Sequence, residues 1–307
     1  MALNGLQLHA SPREPRLTPW PQPPAGPRGE SAHYDYCLLP YTPKATTARD
    51  LASVNLLRWS WQAHGVLAQG EALLQRLHAG LGPGQVVWGI KQRVQQPDAA
   101  SWELYFYRRP HNPQPYTLAR VAELFAPLVV EGAVPDHWRW LMFSVEFDVA
   151  QLRGERPCAS SVYIASSGLS YKLRDNHPPE LENHYVFRDP LTGIDDILAR
   201  LQVSVHAQPH PLGLARLLPP QLMRCFHVCV ANKRQADAVY WSRVDLAQLQ
   251  FFLDRHGWPQ PLRAQIADHA PQLAHLCWDL GADFQRAPDE ATGVGFSFIK
   301  SGIYGAY

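Results

Sequence analysis

The sequence predicts an α+β protein whose repeated helix and β-hairpin units build an antiparallel β-barrel or strongly curved sheet with a polar lumen. Three observations carry this expectation. Helical and strand-like periodicities alternate several times along the chain, and turn-forming Gly and Pro fall between the apolar runs. The strand runs also sort by parity into one apolar face and one face rich in tyrosine.

The first segment, residues 1–32, contains TPWPQPPAGPRGE and reads as a flexible, Pro-rich lead. The remainder, 33–307, reads as a single barrel-like domain, beginning with HYDYCLLPY as a short strand. A helix is expected from Ser53 to Ala79, capped by Ser53, with Leu57, Trp61, Leu67, Leu74 and Leu77 on one face and Gly80 as its stop. GPGQ then turns the chain. VVWGIKQRV and SWELYFYRR form a first hairpin joined by QQPDAA, and TLARVAELFAPL follows as a helix capped by Thr117. LMFSVEFDV and SSVYIA form a second pair, with SYKLR extending the latter strand. GIDDILARL is helical, and CFHVCVA and DAVYWSRV pair around NKRQA. DLAQLQFFLDRHG is a helix from Asp245 to Gly257, a longer helical stretch covers Leu262 to Leu280, and VGFSFIKSGIYGAY closes the chain as a strand or hairpin. This reading counts seven or eight strands, with any further one hidden in 30–45 or 178–222.

Composition narrows the functional classes. Hydrophobic residues make up 46% of the 307, and the formal charge is +1 with no long basic block, which argues against a nucleic-acid-binding surface. No apolar run approaches the roughly 20 residues of a membrane span, and the amino terminus lacks the pattern of a secretory signal, so a cytoplasmic location is expected. Five cysteines at irregular spacing fit a reducing compartment. Cys225 and Cys229 lie in a strand-like run where four residues span about 13 Å, too far for one zinc ion. His206 and His210 are expected to be solvent-exposed.

The polar face decides between a wet sheet and a chamber. Glu103, Tyr105 and Tyr107 share a face in WELYFYR, as do Met142, Ser144 and Glu146 in LMFSVEFD. Lys91 and Arg93, His227 and Cys229, and Tyr240 and Ser242 occupy the same face of their own strands. An open antiparallel sheet with one solvated face is common. Tyrosines with a reachable hydroxyl suit a chamber lining better, and closure removes the sheet edges.

The helix–hairpin order from about residue 53 to 307, the chain length and runs such as CFHVCVANKRQADAVYWSRVDLAQLQFFL resemble the ABBA-type prenyltransferases. The resemblance implies an antiparallel barrel of ten strands ringed by helices. It also implies a lumen that takes an isoprenoid diphosphate and an aromatic or peptide acceptor. On that basis Lys91, Arg93, Lys172, Lys300 and Tyr304 are expected to bind the diphosphate. Tyr105, Tyr107, Tyr163, His227 and Tyr240 are expected to shield the carbocation or contact substrate, and Glu103 or Glu146 to take up the acceptor proton. No cofactor is required and no metal ligands are assigned; magnesium is optional, because Asp195 and Asp196 read as a helix start. Nucleophile-elbow, phosphate-loop and dinucleotide fingerprints are absent. The alternative is a noncatalytic protein that binds a ligand or peptide in the same chamber.

Overall fold

The computed structural model describes residues 17, 33–34, 40–41, 47, 49–82, 86–108, 117–207, 211–287 and 295–306. The expected flexible lead apart from Leu17, GPGQ apart from Gly82, and His210 therefore lie outside the described residues. HYDYCLLPY supplies two dipeptide strands, β1 (His33–Tyr34) and β2 (Pro40–Tyr41), which pair with each other apart from the main sheet.

Alternation of large apolar and polar side chains gives each main strand one face for helices and one for a lumen. β3 (Val87–Arg93) and β4 (Gln96–Tyr107) form the first hairpin, followed by β5 (Met142–Asp148), β6 (Ala159–Ile164), β7 (Leu169–Leu173) and β8 (Glu180–Arg188). β9 (Val228–Lys233), β10 (Asp237–Val244), β11 (Trp278–Gln285) and β12 (Ser297–Ala306) complete the set. These ten strands are antiparallel to their neighbours and close into a barrel as β12 pairs with β3. Closure leaves no main-chain edge unpaired.

Helices cover the outside. α1 (Val54–Ala63) lies on β3, α4 (Val149–Leu152) on β5 and α7 (Leu246–Arg255) on β11. α5 (Ile194–Gln202) packs on β8 and β9, while α2 (Leu67–Leu81) packs on α1 and α3 (Leu118–Phe125). α6 (Pro211–Leu217), α8 (Gln260–Asp268) and α9 (Ala270–Leu273) complete the described helices. Trp88, Trp102, Leu104, Phe106, Phe143, Val145, Phe147, Trp241 and Trp278 point outward into this helix-facing core. Caps act where the sequence places them: Thr117 accepts from the Arg120 amide, and Asp245 and Gln248 form a reciprocal capping box. Gly257, at φ +62°, ends α7 in the left-handed conformation that glycine tolerates best.

Several expectations are corrected. The segment from Ser53 to Ala79 is two helices broken at His64–Gly65, and α2 runs past Gly80 to Leu81. Ser53 makes no side-chain cap; its hydroxyl accepts from the Trp88 indole over 3.3 Å, so a tertiary partner displaces the local one. Most of QQPDAA is strand, because β4 begins at Gln96 and only Val94 and Gln95 form the turn. SYKLR is a separate strand, β7, turned back by 165–168 rather than an extension of β6. The helical stretch to Leu280 ends at Leu273, and β11 follows. β9 begins only at Val228, so Cys225 precedes it. VGFSFIKSGIYGAY, for which a strand or a hairpin was open, takes the first form, as the single strand β12. His206 is half-buried, with Nε2 2.7 Å from the Lys233 carbonyl oxygen. The strict helix–hairpin alternation also lapses from β5 to β8, where short connections replace full helices.

Candidate functional site

Strand direction orders the lumen along the barrel axis. The hairpins β3–β4, β7–β8 and β9–β10 turn at one end, here called upper, and β6–β7 turns at the lower end. Inward-facing residues enclose a chamber of about 1060 Å³. Lys91, Arg93, Glu103, Tyr105, Tyr107, Glu146, Tyr163, Lys172, His227, Tyr240, Lys300 and Tyr304 all line it. The twelve residues singled out from parity and resemblance thus line one cavity.

The chamber is layered. Its lower layer is a run of five tyrosines, one from every second strand: Tyr105 on β4, Tyr304 on β12, Tyr240 on β10, Tyr185 on β8 and Tyr163 on β6. Successive ring centroids are 6.2, 6.1, 6.2 and 5.7 Å apart, in tilted or edge-on contact. Such offset and edge-on geometries are the favourable ones for aromatic pairs. Tyr105, Tyr107 and Tyr304 are buried with Val87 in a small apolar cluster distinct from the helix-facing core.

Nearer the upper end lies an ionic belt. Glu103 lies one inward-facing step above Tyr105 on β4, and Lys300 two steps above Tyr304 on β12, with Gly302 between them. The Lys91 ammonium pairs with Glu103 and lies 3.2 Å from Glu146. Glu146 also faces Lys300 at 3.4 Å and accepts from the Ser101 hydroxyl at 2.9 Å. Further round, Lys233 pairs with Asp283 at 2.7 Å and stands 5.4 Å above the Tyr240 ring centroid. Above the belt, Arg93 and Lys172 form no ion pair among the described residues, whereas Arg234 and Arg174 both reach Glu180.

Burial and pairing compete at each charge. Burial favours a neutral Lys91, but Glu103 and Glu146 outweigh it and hold the ammonium well above the usual lysine range. Burial likewise opposes charge on Glu146; Lys300 and Lys91, helped by the Ser101 hydrogen bond, hold that carboxylate well below its ordinary range. Lys300 moves down, through burial and the repulsion of Lys91 and Lys233, which Glu146 and Asp283 offset only in part. Burial raises both Tyr185 and Tyr304, with neighbouring carboxylates adding to it, so their hydroxyls stay protonated donors.

No protein-family model matches this chain, and no curated protein matches it significantly. The site is therefore read from its own chemistry. Among the described residues, no group of three or more His, Cys, Asp or Glu is arranged to hold a metal ion, and no helix is long and apolar enough to cross a membrane.

Sequence reasoning missed Tyr185, Glu182, Lys233 and Asp283, all of which line the chamber. Tyr185 and Glu182 lie on β8 and Asp283 on β11, the strands left unread. A period-two signal was present in both: Asn183, Tyr185 and Phe187 alternate with His184 and Val186, and Trp278, Leu280, Ala282 and Phe284 alternate with Asp279, Gly281 and Asp283. Lys233 fell in the expected turn NKRQA, yet it is the last residue of β9.

Proposed function

We propose that the chamber transfers an isoprenoid group from an allylic diphosphate to an aromatic small molecule or a peptide side chain. The observation that carries this reading is the stacking of a lysine- and arginine-bearing layer directly above a layer of five tyrosines. A diphosphate is an anion on an apolar stem, and the two layers match its two parts. Ten-strand closure supports the resemblance to ABBA-type prenyltransferases, which implies that strand number. The free thiols of Cys158, Cys225 and Cys229 support the accompanying proposal of a reducing, cytoplasmic setting.

The chemistry balances with groups at hand. The allylic C–O bond breaks with both electrons leaving on the diphosphate, where Arg93, Lys172 and Lys300 offset the developing charge. The carbocation is met by tyrosine faces, which attract cations and exclude water. A carbon or heteroatom of the acceptor forms the new bond and sheds a proton to Glu146 or Glu103. Glu146 is a weak base, but a protonated aromatic intermediate is a far stronger acid than any carboxylic acid, so transfer runs downhill.

Incubation with dimethylallyl or geranyl diphosphate and a panel of indoles, phenols and peptides tests the proposal. A prenylated product supports it; no product together with no diphosphate binding by calorimetry overturns it. A noncatalytic binding protein is the second reading. It is favoured by the neutralisation of Lys91, Lys233 and Lys300 by the chamber's own carboxylates. It predicts ligand binding without turnover, and binding that Lys91→Ala and Arg93→Ala leave unchanged.

A further inference from the structure

The upper mouth of the chamber holds a charged cluster separate from the ionic belt. Glu180, the first residue of β8, has Lys172 as its partner in the β7–β8 ladder. Arg174 follows β7 in the turn to β8, and Arg234 lies in the turn between β9 and β10. The two arginines approach Glu180 from turns on either side of it. The Arg174 guanidinium lies 3.8 Å from one carboxylate oxygen, and Arg234 pairs with the other. All four side chains line the chamber. Two arginines are thus tied to one carboxylate at the opening, with a lysine beside it.

These pairs differ from those of the belt in how firmly they are held. Lys91 and Glu103 are 11% and 10% exposed, and Lys233 and Asp283 18% and 15%. Separating either belt pair strands a charge away from water, which is costly. Arg174, Arg234 and Glu180 are 51%, 60% and 38% exposed, and ion pairs this open to solvent contribute little net stability. Their charges meet water as soon as they part. The turns themselves are fixed: the Gly132 amide donates to the Asp175 carboxylate over 2.8 Å, and the Lys233 amide to the Ala236 carbonyl over 3.1 Å. A change of partner therefore asks only for side-chain rotation in two arginines.

We infer that Glu180 is a built-in stand-in for a diphosphate group, which displaces it from Arg174 and Arg234 on binding. This inference rests on reading the chamber as a diphosphate site. A diphosphate offers more charge and more acceptor oxygens than one carboxylate, and each guanidinium can take two of those oxygens side by side. A carboxylate or halide from solution carries no more charge than Glu180 and gains little by replacing it. The tethered carboxylate thus withholds the arginines from weaker anions, and it lowers affinity for diphosphate in return for that selectivity.

Calorimetric titration of the intact chain at fixed ionic strength tests the exchange, with inorganic pyrophosphate and the unreactive dimethylallyl thiolodiphosphate as ligands. Glu180→Gln is expected to raise pyrophosphate affinity about fivefold, the effect of removing one competing charge. Glu180→Ala carries the same expectation and serves if the glutamine variant fails to fold. In the Glu180→Gln background, Arg174→Gln or Arg234→Gln is expected to weaken pyrophosphate binding by about five- to tenfold, since each then removes a direct contact. Arginines that only neutralise Glu180 would have no effect in that background. A rise for the analogue as well assigns the arginine pair to the donor, and a rise for pyrophosphate alone assigns it to the departing product; both uphold the exchange. Pyrophosphate affinity that falls, or stays within about twofold of wild type, in the Glu180 variants overturns the inference while leaving the chamber's assignment intact. Unchanged affinity in the arginine double variants does the same. Wild-type protein that binds neither ligand overturns both.

Discussion

The Tyr105 hydroxyl donates a hydrogen bond to the Glu103 carboxylate across 2.5 Å, tying the tyrosine layer to the ionic belt above it. Glu103 also receives the Lys91 ammonium and stands opposite Glu146 in the β4–β5 ladder. Two carboxylates facing each other on adjacent strands repel. Lys91, reaching both, converts that repulsion into a bridge across three strands.

Removing the bridge is therefore costly. Lys91→Met leaves Glu103 and Glu146 opposed without their shared cation, in a site where Lys91 and Glu103 are only 11% and 10% exposed. The expected loss is about 2–3 kcal/mol at pH 7, below the range for a fully buried pair because the Glu146 side chain is 35% exposed. Adding Glu103→Gln to that variant should recover part of the loss. Urea denaturation of the three proteins checks both statements. The sign with pH follows from the raised Lys91 value: its contribution is complete below about 10.4, the unfolded lysine value, and disappears only as pH climbs through the folded one.

Arg93 and Lys172 are the chamber cations that no carboxylate neutralises among the described residues. Arg93→Gln or Lys172→Gln should weaken inorganic pyrophosphate binding by about five- to tenfold, roughly one charge-assisted contact each. Thermal stability should stay within about 1 °C, since Arg93 is exposed and Lys172 half-buried. Calorimetry and a melting curve on the same samples separate the two effects; unchanged pyrophosphate affinity would place the anion site elsewhere.

His256 gives an acid-side signature. Burial between Phe252 and Phe298, with Arg255 beside it, pushes the imidazole down to about 3. Below about 6.5 the unfolded chain binds a proton that the folded one refuses, so folding weakens as pH falls from 7 toward 4. The loss attributable to this residue at pH 4 should be about 2–3 kcal/mol. His256→Phe should flatten that part of the stability–pH curve. Denaturation midpoints at pH 7, 5.5 and 4 test it.

The cysteines should behave as inert hydrophobes. Burial pushes the Cys158 and Cys225 thiols up to about 12 and Cys229 further still, with the Asp148 and Asp279 carboxylates adding to the first two. Thiolate is the reactive form, so at pH 8 these three should react with a disulfide reagent at least about tenfold more slowly in the native protein than in urea. Mass spectrometry of the labelled peptides distinguishes them.

Much of this protein follows from period alone. Trp102, Leu104 and Phe106 against Glu103, Tyr105 and Tyr107 is a pattern that a twofold strand imposes whatever its neighbours, and the barrel divides outside from lumen along that line. Thr117 and Asp245 cap their helices because the capping partners, Arg120 and Gln248, lie three residues away in sequence. Such features are local, and local chemistry is enough to set them.

Other features depend on partners far along the chain. Ser53 looks like a cap and instead meets the Trp88 indole 35 residues away. β11 resembles the end of a helix when read by itself; its strand conformation is stabilised by β10 and β12 on either side. The order of tyrosines around the lumen belongs to no segment, since each comes from a different strand and their contacts arise only when the barrel closes. The sequence by itself determined which side chains face inward. Tertiary structure alone decided which of them touch, because strand pairing and closure, not spacing along the chain, bring Lys91 to Glu146 and Tyr240 to Tyr185.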